Sequence, residues 1–144
     1  MKLNPHVLFD GRCEEAFNFY RQCLGGEIKA MIRHEGTPAA GNVPAEWRSK
    51  IIHACLVIGD QMLLGCDAPP NHYRKPQGFS ASIDVKEPAE AERIFNQLAE
   101  DGTVQMPIQG TFWAIRFGML VDRFGIPWMV NCQKAAQLGQ TEAA

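Results

Sequence analysis

The chain repeats itself, and that limits its folds more than any other feature. Glu15-Ala16 returns as Glu90-Ala91, Tyr20 as Phe95, Gln22 as Gln97, and Gly26-Glu27-Ile28 as Gly102-Thr103-Val104. Each half reads in the same order: strand, helix, strand, strand, strand. A single half would leave one apolar sheet face uncovered, so the reading pairs the two. The expected fold is α+β, with two βαβββ modules forming a curved mixed sheet around a cleft. The modules are placed at residues 1–70 and 71–132 of one domain, with a polar tail over 133–144 that packs on little.

The elements follow from periodicity. Residues 3–9 read as a strand ended by Asp10-Gly11. Cys13, Ala16, Phe17, Tyr20, Cys23 and Leu24 fall on one stripe at helical spacing, and Gly25-Gly26 stops the helix. A strand over 27–34 follows, with His34 exposed at its end, and 36–48 is a loop of low order that could serve as a lid. A hairpin turns about Gly59-Asp60. In the second half a strand over 79–85 leads to a helix with Pro88 at its first position, where the missing N–H costs nothing. Ala91, Ile94, Phe95 and Leu98 form its apolar stripe, and a strand over 103–108 is broken by Pro107.

The run from Phe112 to Cys132, FWAIRFGMLVDRFGIPWMVNC, closes the second module as a hairpin. Asp122-Arg123-Phe124-Gly125 is its turn, with Gly supplying a backbone angle that other residues resist. Trp113 and Trp128 are large apolar bodies with one donor each, which suits the wall of a cavity.

Composition excludes several classes. Of 144 residues, 21% are charged and the formal net charge is -2, so neither nucleic acid nor an anionic membrane is expected as a partner. No apolar run approaches the roughly 20 residues of a membrane span. The N-terminal MKLNPHVLFDG lacks the pattern of a signal peptide, which points to the cytoplasm. Five cysteines without a CxxC argue for reduced, packed thiols rather than disulfides or a zinc ribbon.

Three segments, NPHVLFDGRCEEAFNFY, GDQMLLGCDAPP and the closing hairpin, resemble the PhnB-type branch of the vicinal oxygen chelate superfamily. That superfamily includes glyoxalase I, bleomycin-resistance proteins and extradiol dioxygenases. The resemblance implies a two-fold homodimer and a metal held by His or Glu on the first and last strand of each module. The implied positions carry Ser80 and Met129 in module two, and Pro5 or His6 and Leu64 in module one. Only His6 remains as a candidate ligand, so no cofactor is expected and a divalent metal is disfavoured. Members often carry a methyltransferase name. The sequence has no Gly-rich strand-to-helix turn with an acidic residue downstream, so that activity is not expected either.

The reading that follows is a small-molecule-binding protein. Its expected ligand-binding residues are His53, Trp113, Arg116, Phe79, Trp128 and Asp67. His53 reads as a core histidine or as a cavity base. Arg116, in an apolar strand, needs a partner such as Asp67, Asp122 or a ligand carboxylate. Cys66 reads as a packed thiol, because no basic residue adjoins it to lower its pKa. The alternative is a diverged enzyme of the superfamily, a lyase, isomerase or dioxygenase type working through non-standard metal ligands.

Overall fold

A computed structural model describes residues 1–134. The expected order of elements is present: β1 (His6–Phe9), α1 (Cys13–Leu24), β2 (Glu27–Arg33), β3 (Ile51–Ile58) and β4 (Gln61–Asp67), then β5 (Ala81–Asp84), α2 (Pro88–Ala99), β6 (Thr103–Gln109), β7 (Ala114–Val121) and β8 (Pro127–Gln133). The strands make two separate four-stranded mixed sheets, ordered β1-β4-β3-β2 and β5-β8-β7-β6. In each sheet the first strand pairs parallel with the last, and the other pairings are antiparallel. The chain divides into two compact units between Lys75 and Pro76. Of the expected tail, Gln133 belongs to β8. Residues 135–144 lie outside the described residues.

In the first unit, α1 covers one face of its sheet. Cys13, Ala16, Phe17, Tyr20 and Cys23 are buried, as the stripe requires. Phe9 and Phe17 meet edge-on, their ring centroids 6.1 Å apart, and Tyr20 packs beside both. Burying each such ring contributes about 2–3 kcal/mol. Gly65 of β4 lies directly under Phe17, where a Cβ would come within 2.7 Å of the ring. Alternation then assigns faces. Val7, Phe9, Leu63 and Gly65 look toward the helix, while His6, Leu8, Leu64 and Cys66 look away.

The second unit is built the same way. Ala91, Ile94, Phe95 and Leu98 of α2 are buried. Gly118 of β7 makes room for Phe95, whose ring would stand 2.6 Å from an added Cβ. Leu120, Val130 and Cys132 look toward the helix and are fully buried. Pro107 does not end β6, contrary to the expectation. β6 is the margin of its sheet, where proline is tolerated, and it slips register on both sides of Met106.

Two departures lie in the first unit. The segment 36–48 is ordered into two 3-10 turns, Pro38–Asn42 and Ala45–Trp47. His34 is buried rather than exposed, its Nδ1 3.0 Å from the Lys50 carbonyl. No helix among the described residues is long and apolar enough to cross a membrane.

Candidate functional site

The expected site residues separate once their partners are visible. Asp67 is buried at the end of β4. Its Oδ1 accepts from the backbone N–H of Gly11 (3.0 Å) and of Cys13 (2.9 Å), and its Oδ2 accepts from Ile51 N–H (2.9 Å). The carboxylate therefore occupies the N-terminus of α1, satisfying donors the helix leaves open. Its described hydrogen bonds all run to backbone N–H groups of the first unit.

Trp128 is likewise engaged within the fold. It lies two residues from Val130 on the helix side of β8 and is 3% exposed. Its indole N–H donates to Asp122 Oδ2 at 2.8 Å, while Asp122 Oδ1 accepts from Phe124 and Ile126 N–H. The hairpin turn forms as read, and it consumes the tryptophan. Arg116 faces the same side, and its guanidinium meets Glu92 of α2 at 2.8 Å. β7 shifts register between Ala114 and Arg116. It does not turn Arg116 away from the helix. Phe79 precedes β5 and is 48% exposed.

His53 and Trp113 remain. Ala54 pairs with Gly65, and alternation puts His53 and Cys66 together on the helix-free face of the first sheet. His53 lies across from Ile32 on β2. Burial and the neighbouring Asp67 push the Cys66 thiol pKa up, so it is protonated at neutral pH. In the second unit Trp113 stacks edge-on against Phe117, centroids 5.5 Å apart.

Phe117 leads to a feature the sequence reading missed. Phe117 pairs with Asn131, and Asn131 pairs with Asp84, giving one row across the helix-free face of the second sheet. Gln109 of β6 extends it. Ser82, Met129, Met119 and Met106 form the adjacent row. Asn131 Nδ2 donates to Asp84 Oδ1 at 2.9 Å. Asn131 is 9% exposed, and its Oδ1 is buried with no hydrogen-bond partner among the described residues. An orphaned acceptor of this kind costs about 1–3 kcal/mol. The one hint in the sequence is that Asn131 is the sole amide in the run from Ile126 to Cys132, though the run's near-uniform apolarity does not say which face it takes.

The same pairings test the implied metal. His6 lies opposite Leu64, and Ser82, rather than the expected Ser80, lies opposite Met129. These four residues offer one imidazole and no carboxylate, so they do not fit a hard divalent ion. A surface cavity of about 370 Å³ lies elsewhere, between the 3-10 turns and the Pro69–His72 turn of the first unit. Trp47 and His72 line it, but none of the expected ligand-binding residues does.

The architecture is that of the vicinal oxygen chelate superfamily. The fosfomycin resistance protein FosX of Listeria monocytogenes superposes with a TM-score of 0.64 at 6% identity, over 95% of this chain and 96% of its own. Residues 1–131 match the family model described as 3-demethylubiquinone-9 3-methyltransferase, and the chain belongs to that PhnB-like family. Protein YjdN of Escherichia coli is 34% identical over 93% of this chain and 97% of its own. Protein PA1353 of Pseudomonas aeruginosa is 48% identical with a TM-score of 0.85, covering 92% and 98% of the two chains. A putative 3-demethylubiquinone-9 3-methyltransferase, PhnB protein, of Bacillus cereus is 27% identical with a TM-score of 0.78, covering 92% and 99%.

Proposed function

We propose that the protein binds a small organic molecule on the helix-free face of its second sheet, without a metal at the superfamily's usual positions. The observation that carries this is the buried, unpartnered Asn131 Oδ1 beside the Phe117–Trp113 aromatic pair. Apolar and aromatic surface with one exact polar requirement is the usual make-up of a ligand site. The thioethers of Met119 and Met129 in the next row add adaptable apolar surface.

The methyltransferase name of the family does not describe this reading. The turn into α1 is Asp10-Gly11-Arg12, and the amides that would receive a cofactor's anionic group already hold Asp67. Calorimetry with S-adenosylmethionine is expected to give no heat of binding. The two-fold dimer implied by the resemblance is part of the same reading, and gel filtration at the 16.0 kDa of one chain would remove it.

The test of the binding face is an NMR fragment titration of the labelled full chain. Responding signals are expected at Trp113, Phe117 and the Asn131 side-chain amide, and Phe117→Ala should abolish them. Responses confined to Trp47 and His72 would move the site to the cavity of the first unit. Stoichiometric metal surviving dialysis would instead favour the diverged enzyme.

A further inference from the structure

From the Asp84–Asn131 pair we infer the charge of the ligand: it carries a primary ammonium or similar cationic N–H group on an aromatic or apolar body. This rests on the binding face proposed above. An ionised carboxylate only accepts hydrogen bonds, so the bond from Asn131 Nδ2 to Asp84 Oδ1 fixes the amide's orientation. Oδ1 is thereby committed to accept, and what it lacks is a donor. Asp84 is exposed and enters no ion pair among the described residues, so its negative charge is uncompensated at the same place.

Two neighbouring groups thus want donors, and one of them wants positive charge. An ammonium supplies three donors and that charge from one atom. A hydroxyl would satisfy Asn131 without answering Asp84, and a carboxylate ligand would be repelled. Phe117, adjacent to Asn131, and Trp113 against Phe117 offer ring surface to the ligand body and attract a nearby cation.

The test compares phenethylamine, phenethyl alcohol and 3-phenylpropionate, titrated into the labelled full chain while the Asn131 side-chain amide is followed by NMR. Phenethylamine should shift that amide and bind at least about tenfold more tightly than the alcohol. The propionate should leave the amide unmoved. Asp84→Asn, an exposed and nearly isosteric change, should remove the preference for the amine over the alcohol. Its circular dichroism and melting temperature serve as the folding control.

Equal affinity for amine and alcohol in the wild-type chain would overturn the charge assignment and leave the binding face standing. An amine preference that survives Asp84→Asn would also overturn it. Absence of any response on this face from all three probes would overturn both readings.

Discussion

The two modules share a plan and a device, and they use the device differently. Each anchors its fold with a buried carboxylate that accepts from three N–H groups. Asp67 reaches Gly11, Cys13 and Ile51, as far as 56 residues away in sequence, and so ties β4 to the start of α1 and to β3. Asp122 reaches Phe124, Ile126 and Trp128, all within six residues, and so ties one hairpin to itself. One carboxylate closes a tertiary structure and the other closes a turn. The helix-free faces diverge too. The first carries His6, Leu8, His53 and Cys66, and the second carries Asp84, Asn131, Phe117 and the methionines.

The largest expected effect tests the anchors. Asp67→Ala leaves three N–H groups, two of them buried, without an acceptor and should cost about 3–4 kcal/mol in urea unfolding. Asp122→Ala should cost a similar amount, but mainly by slowing folding, if the local bonds described for it form before the long-range ones of Asp67. Asp67→Ala should mainly speed unfolding. Stopped-flow chevrons separate the two, and identical partitioning would erase the contrast.

The next test concerns the glycine that follows each helix. A Cβ on Gly26 would strike the Val57 carbonyl oxygen, and one on Gly102 would strike that of Val121. Both alanine variants should destabilise by about 2 kcal/mol or more. Gly26→Ala should be the worse, because Gly26 also sits at φ +88.

A smaller effect concerns the thiol beside the first anchor. Burial, then the charges of Asp67, Cys66 and Glu14, pushes the Cys13 pKa far above its usual 9.0. The folded state therefore keeps a proton that the unfolded state releases. The stabilisation is full below about pH 9 and is lost as pH rises toward the folded value, by at most about 1.4 kcal/mol per pH unit. Melting temperatures of the wild type and Cys13→Ala should converge as pH is raised from 8 toward 10.5. Parallel curves would discount this thiol.

The smallest effect is at the helix exits. Module one turns through Gly25 at φ +80, whereas module two turns through Asp101 at φ +59. Asp101→Gly should stabilise by about 0.5 kcal/mol. The lost ion pair with Arg123, 3.7 Å long and largely exposed, offsets little. Calorimetric melting of the single variant is the check.

Much of the fold was legible because local rules and tertiary structure agree. Both helices announce themselves by stripe and stop, and the Asp122–Gly125 turn by its residues. The site was less legible, for reasons particular residues make plain. In Ile-Pro-Trp-Met-Val-Asn-Cys nearly every position is apolar, so alternation gave no sign that Trp128 faces the helix and Asn131 does not. Arg116 finds Glu92, 24 residues away on α2. Asp67 looked like a free carboxylate at a strand end because its partners lie far off in sequence. Long-range hydrogen bonds leave no periodic trace.

Pro107 has a consequence of its own. A sheet margin ordinarily offers a row of vacant donors and acceptors to any passing strand. Here that row is interrupted by a residue that has no donor and by slipped register on either side of Met106. A second copy laid along β6 could not continue the ladder, so this border is a poor seed for fibre growth in concentrated solution.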